Sequence, residues 1–178
     1  MYSVNYAIPK DVQVEVNGRE VIVKGKAGES RRSFKAKHVE IKKEGDNIIV
    51  FTNSPKKADR ADVGTILGHI KNMIVGAEKG VTHKLKVVYA HFPMSVKVEG
   101  DKFVVNNFLG EKFPRSMTLI KGVTVKIAGT EVIVTGPNRE IVGLCASQIE
   151  QLCRIRGRDR RVFQDGIYII EKDGKHLK

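Results

Sequence analysis

Five arginines fall within eight residues, Arg154-Ile155-Arg156-Gly157-Arg158-Asp159-Arg160-Arg161, and no other stretch of the 178-residue chain points so sharply to one chemistry. A guanidinium presents a rigid planar fork of donors that fits a phosphate, stacks on bases, and stays charged at any physiological pH. Five of them in one exposed turn repel each other unless an anion neutralises them. Lysine would serve as well if solubility were the only purpose. A solvated basic loop has the same composition, but the choice of arginine favours a loop that contacts phosphate.

Other chemistry is sparse. A Walker loop, a dinucleotide-binding glycine fingerprint, His-Glu-x-x-His and Gly-x-Ser-x-Gly are all absent, which lowers the expectation of an enzyme. His83 and His91 are eight apart in a strand-like run, about 27 Å if extended, so they cannot share a metal. His69 lies beside an apolar helical face, and His38 and His176 have no neighbouring Cys or carboxylate pattern. Gly25-Lys26-Ala27-Gly28 fits the Gly-x-x-Gly of KH domains, but a strand precedes it where a helix belongs, and a turn between strands is expected instead. The aromatic strand motif of an RRM is missing, and without Trp a broad base-stacking platform is not expected. No catalytic residue, metal, cofactor or small-molecule substrate is therefore assigned.

The whole chain is basic, with 32 Lys+Arg against 20 Asp+Glu, a net charge of +12 and a pI near 9.8. A polyanion is the natural partner. Divided after Ala90, the two halves carry +7 and +5, so the excess is no detachable tail, yet 7 of the 11 arginines are in the second half. No apolar run reaches the roughly 18 residues of a membrane span, and Met1-Tyr2-Ser3-Val4 does not open a signal peptide, so a cytoplasmic protein is expected. Cys145 and Cys153 are eight apart in a helical pattern, about 12 Å between Cα atoms. A disulfide needs less than about 7 Å, so both are expected to be free, buried thiols.

The elements that must carry the arginine loop come in two rounds. Val12, Val14 and Val16 alternate with polar residues up to Asn17-Gly18, and Val21-Ile22-Val23 follows, which predicts a hairpin. Val39 and Ile41 lead through Glu44-Gly45-Asp46-Asn47 to Ile48-Ile49-Val50-Phe51, a second hairpin. After a cap signal at Ser54-Pro55, Val63, Ile66, Leu67, Ile70, Met73 and Ile74 recur at helical spacing, with Gly76 and Gly80 closing the helix. The order then returns: Val96 and Val98 before Phe103-Val104-Val105, Val123 to Ile127 before Val132-Ile133-Val134, and a helix with Val142, Cys145, Ala146, Ile149, Leu152 and Cys153 on one face. Each of these six lies 79 residues after its counterpart, and Gly143 answers Gly64.

This predicts an internal duplication. The expected fold is α+β, two tandem copies of a small domain in which an antiparallel sheet of hairpins packs on one helix. The expected boundaries are 1–82 and 93–178, joined by a connecting strand at 83–92. Lys84 to His91 would be the strand that leaves the first copy and Val162 to Ile170 its counterpart, with Tyr89 and Tyr168 again 79 apart.

With the duplication and the loop in hand, the chain resembles large-subunit ribosomal protein six, the universal L-six family, over essentially its whole length. Tyr89-Ala90-His91-Phe92-Pro93, Asn107-Phe108-Leu109-Gly110-Glu111-Lys112 and Asp159-Arg160-Arg161-Val162-Phe163-Gln164-Asp165-Gly166-Ile167-Tyr168 carry the resemblance. They are similar to the archaeal and eukaryotic branch. Bacterial members have a Lys/Gly-rich segment where this chain reads Phe163-Gln164-Asp165-Gly166, and contacts known there do not carry over.

The resemblance implies a non-catalytic protein of the large subunit that serves translation, bound to ribosomal RNA near the sarcin–ricin loop and the factor-binding region at the stalk base, with other ribosomal proteins as neighbours. It implies that the second domain makes most of the RNA contact. Arg160 and Arg161 lie in the matched signature, and Arg154, Arg156 and Arg158 belong to the same loop. Lys112 is in the matched Gly-Glu-Lys segment with Arg115 beside it, and Lys172, Lys175 and Lys178 are further candidates in the tail. A stand-alone RNA-binding module and an enzyme rank well behind; the first would bind many RNAs alike, and the second would need a pocket of convergent titratable groups.

Overall fold

In a computed structural model, which describes residues 2–177, the chain divides into two units. One comprises the residues up to Gly80 with Pro137–Arg139, the other Val81–Gly136 with the residues from Glu140 on.

The first unit runs β1 (Tyr2–Ala7), β2 (Gln13–Asn17), β3 (Glu20–Gly25), β4 (Gly28–Ser33), β5 (Glu40–Glu44), β6 (Asn47–Thr52) and α1 (Lys57–Lys79). Strands β2, β3 and β4 form one antiparallel sheet in that order, and β1, β6 and β5 another. Both expected hairpins are present. The alternation Val12, Val14 and Val21, Val23 turns one face of the first sheet inward, where Val63, Ile66, Ile70, Met73 and Ile74 of α1 complete the core with Ile48 and Val50 of β6. The helix starts two residues beyond the expected cap because Ser54 Oγ accepts the N–H of Lys56 in a turn, and Lys56 supplies no side-chain cap. Gly76 is buried inside the helix. Only Gly80 ends it, at φ 75° with its N–H on Gly76 O at 2.9 Å.

Gly25-Lys26-Ala27-Gly28 is a two-residue turn from β3 to β4, not a loop between helices. Its tip sits on the last turn of α1, with the Ala27 N–H donating to Ala77 O at 2.9 Å. A Cβ on Gly25 would lie 2.4 Å from that same oxygen. Gly25→Ala is therefore expected to lower the unfolding free energy of the protein by about 1–3 kcal/mol, as overpacking does, read by urea denaturation; an unchanged midpoint would contradict the contact.

The second unit runs β7 (Val81–Val88), β8 (Ser95–Glu99), β9 (Lys102–Asn106), a 3-10 turn (Phe108–Gly110), β10 (Arg115–Thr118), β11 (Thr124–Ala128), β12 (Glu131–Gly136), α2 (Arg139–Leu152), β13 (Gly166–Lys172) and β14 (Lys175–His176). One antiparallel sheet has the order β10, β9, β8; the other has β11, β12, β7, β13, β14. Phe103 and Val105 of β9, Leu85 and Val87 of β7, Val132 and Val134 of β12 and Ile167 of β13 pack with Val142, Cys145, Ala146 and Ile149 of α2.

The α+β architecture with two copies of one unit is thus present, with a different boundary. Of the expected connecting strand at 83–92, only residues 83–88 are strand; they belong to β7, which lies inside the second unit's sheet between β12 and β13. It corresponds to β1: β1 pairs β6 with Val4 opposite Val50, and β7 pairs β12 with His83 opposite Val134. Val4 and His83 are 79 apart, the offset of the helices. The second copy therefore begins at β7 and not at residue 93, and β13 is an added strand on the other side of β7. Tyr89 lies beyond β7 while Tyr168 lies within β13, opposite Lys86, so the two tyrosines are not equivalent. An alternating strand at a domain border carries no mark of which sheet it will join.

Cys145 and Cys153 are free and buried. Burial raises both thiols, Cys153 to about 12. Thiol reagent near neutral pH is expected to modify native protein far more slowly than protein in denaturant, and equal rates would place this helix face outside the core.

Candidate nucleic-acid interface

The arginine loop is irregular backbone on a fixed frame. It leaves the end of α2 at Leu152, and Cys153 and Ile155 are buried in the core, so the chain is pinned at its start while Arg154 and the residues from Arg156 to Val162 are exposed. At its far end Asp165 is buried. Its carboxylate accepts the N–H groups of Ala90 (3.2 Å), His91 (3.2 Å) and Phe92 (3.5 Å), and Oδ1 lies 3.0 Å from Nδ1 of His91. Burial alone would push this carboxyl up, but the His91 ring and the three amides outweigh it and hold the group below the ordinary aspartate range. One side chain thereby fastens the loop to the turn that follows β7.

Phe163 stacks on His91, with centroids 4.6 Å apart and planes at 27°, and the Arg158 guanidinium lies 4.7 Å over the Phe163 ring. Arg161 turns back on Asp159: its N–H and guanidinium both reach the carboxylate, at 2.9 Å each. That pairing lowers Asp159 and raises Arg161. Arg154, Arg156 and Arg160 meet no carboxylate among the described residues, and all three are exposed. The five arginines therefore divide into one stacked, one paired and three presented to solvent.

The segment with Lys112 and Arg115 comes beside the loop. Arg115 donates from Nε and Nη2 to Glu111 at 2.8 and 2.6 Å, from Nη1 to Leu152 O at 2.8 Å, and lies 4.2 Å over the Phe108 ring. It closes the C-terminal end of α2, where a cation meets the last carbonyls and the negative end of the helix dipole. Lys112 is exposed, and next to it Phe113 is 85% exposed. Lys172 and Lys175 face each other in the β13–β14 hairpin. They sit six or more residues along the strand from Gly166, about 20 Å from the loop, so they do not join it. Lys178 lies outside the described residues.

Sequence reasoning missed the positioning residues and Phe113. Asp165, His91 and Phe163 stood in the matched stretches as identity marks, and their joint role appears only when residues 74 apart meet. Phe113, an aromatic between Lys112 and Pro114, was readable as a possible stacking side chain.

In the first unit, by contrast, three basic side chains in or beside the β2–β3–β4 sheet meet acids: Lys24 pairs Glu15, Lys26 pairs Asp11, and Arg31 pairs Glu20. Among the described residues no group of three or more His, Cys, Asp or Glu could hold a metal ion, and no helix is long and apolar enough to cross a membrane.

These features define a duplicated α+β protein with a pinned polycationic loop on its second copy. The family model described as ribosomal protein L6 matches residues 8–80 and 92–166, one stretch in each copy. A large ribosomal subunit protein uL6 of Methanococcus vannielii is 51% identical over 170 residues, covering 96% of this chain and 93% of the relative. Those of Methanosphaera stadtmanae and Methanobrevibacter smithii are 48% and 46% identical over 172 and 166 residues, each covering at least 93% of both chains. The chain belongs to the ribosomal protein L6 family, in its archaeal type: a non-enzymatic structural protein of the large ribosomal subunit.

Proposed function

We propose that the chain is anchored on large-subunit ribosomal RNA near the sarcin–ricin loop and the factor-binding region at the stalk base, and that the arginine loop of the second unit is its principal phosphate contact. The observation that carries this is the contrast between the two units. Arg154, Arg156 and Arg160 are exposed on a loop fixed at Ile155 and Asp165, whereas Lys24, Lys26 and Arg31 of the first unit each pair with an acid of that unit. A fixed loop loses little conformational freedom on binding, so its charge goes into holding RNA. Arg158 and Arg161 complete the set by exchanging their internal partners for phosphate. Lys112 extends it, with Phe113 offering a ring to an unpaired base. Arg115 acts as a positioning residue. Lys172 and Lys175 contact a separate RNA segment or a neighbouring ribosomal protein. Recognition is by shape and phosphate placement, because the deep groove of A-form RNA hides base edges. The protein resides with the ribosome in the cytoplasm.

Sedimentation tests this reading. The tagged chain should travel with the large subunit through a high-salt wash. Release at modest salt, with binding to many RNAs alike, would indicate a stand-alone RNA-binding module instead.

A further inference from the structure

A groove of about 280 Å³ opens between the end of α2, the arginine loop and the start of β13, lined by Glu150, Arg154, Ile155, Arg160, Ile167 and Tyr168. Ile155 and Ile167 are buried and give it an apolar floor, while Tyr168, 41% exposed, contributes an aromatic ring. The ring is held: its hydroxyl donates to Gln164 O at 3.2 Å. Glu150 is also held, with Oε1 accepting the Ile169 N–H at 3.2 Å. Two guanidinium groups thus share one groove with an oriented carboxylate and an aromatic face.

We propose that this groove is a binding site for a single unpaired nucleotide, the base resting on Tyr168 above Ile155 and Ile167 and the phosphate held by Arg154 and Arg160. The assignment rests on the RNA-binding reading above and deepens it. The mixture of charges selects the occupant. An acidic peptide would satisfy the arginines but set its own carboxylate against Glu150. A nucleotide offers an anion at one end and, on adenine, cytosine or guanine, an amino group at the other that can donate to a carboxylate. Uracil has no amino group and offers only its single N3–H, flanked by two carbonyl oxygens that Glu150 repels, so it is the weaker partner. Burial and the nearby carboxylates keep the Tyr168 phenol neutral at physiological pH, with its proton on the Gln164 carbonyl, which leaves an uncharged ring for stacking.

Amide chemical shifts of the full chain should be followed during titration with the four nucleoside 5′-monophosphates and with ribose 5-phosphate. The expected result is movement at Ile155, Ile167, Tyr168 and Ile169 with AMP, CMP and GMP at a Kd on the order of 1 mM, several-fold weaker binding of UMP, and with ribose 5-phosphate only weaker movement that leaves Tyr168 and Ile169 in place. Glu150→Gln, which keeps an acceptor for Ile169, should abolish the discrimination against UMP. Equal responses to ribose 5-phosphate and to nucleotides, or no response to any nucleotide, would overturn the proposal. A parallel measurement separates this from the wider reading. Tyr168→Leu should weaken binding to a large-subunit RNA fragment at least about fivefold. If it binds as wild type while alanine at Arg154, Arg156 and Arg160 still weakens binding strongly, the groove holds no nucleotide and the RNA reading stands. If the arginine variant also binds as wild type, the RNA reading itself fails.

Discussion

Replacing Arg154, Arg156 and Arg160 together by alanine is expected to weaken binding to a large-subunit RNA fragment more than about a hundredfold at moderate salt, at roughly 1–2 kcal/mol per charge-assisted contact. The same variant should have a shallower salt dependence. Each lost phosphate contact removes about 0.7–0.9 from the slope of log K against log salt, so three remove roughly 2–3. Folding should change little, because all three side chains are exposed and their loop remains tied down by Ile155 and Asp165. Lys24→Ala with Lys26→Ala is the matched control. These lysines pair with Glu15 at 3.4 Å and Asp11 at 3.2 Å, so the first unit presents less uncompensated charge there. The control should lose several-fold at most. Equal losses from the two variants would mean that net charge alone drives binding.

The second large effect is expected at Asp165, which touches no RNA in this scheme. Asp165→Ala leaves three amides and the His91 ring without the buried carboxylate that they share. Ala90, His91 and Phe92 are exposed, so water can partly replace the acceptor, and the loss should be about 1–3 kcal/mol in total; the untied loop should lower RNA affinity while the arginines remain. Asp165→Asn retains one acceptor oxygen and should fall between. The pH dependence follows from the direction of the shift. The folded-state carboxyl titrates below its unfolded value, so folding favours the ionised form; that stabilisation is complete above the ordinary aspartate range and is lost as pH falls through the lowered folded value. Wild type should therefore lose more stability than Asp165→Ala over that acid interval, as read by denaturation at a series of pH values. Parallel curves would contradict the brace.

Much of the fold was legible because burial has a period. Val63, Ile66, Ile70, Met73 and Ile74, like Val142, Cys145, Ala146 and Ile149, are all buried, and helical spacing is enough to predict that. The hairpins announced themselves through alternation interrupted by Asn17-Gly18 and by Glu44-Gly45-Asp46-Asn47. What was illegible is just as physical. Strand β4 reads Gly-Glu-Ser-Arg-Arg-Ser, and only Ser30 of it is buried, so it has no apolar signature and exists because β3 offers it backbone partners. Strand β10 is an edge strand of the same kind. In β7 the alternation Val81, His83, Leu85, Val87 was plain, yet its sheet is decided by β12 and β13, far along the chain. At the site, composition alone revealed the arginine cluster. The differing situations of Arg158, Arg161 and Arg115 depend on Phe163, Asp159, Glu111 and the Leu152 carbonyl, and only Asp159 and Glu111 are close enough in sequence to have been suspected.

Directed cleavage from the loop itself tests the central claim most directly. Both native cysteines are buried, so an iron chelate can be attached to a cysteine introduced at Val162, which is 59% exposed between Arg161 and Phe163. After assembly into large subunits, hydroxyl radicals generated there should cut the RNA in and around the sarcin–ricin loop, while a chelate on Gly18→Cys, at the β2–β3 turn of the first unit, should give weaker cuts elsewhere. Absence of cleavage near the sarcin–ricin loop from position 162 in assembled subunits, or stronger cleavage there from position 18, would contradict the assignment of the arginine loop as the RNA anchor.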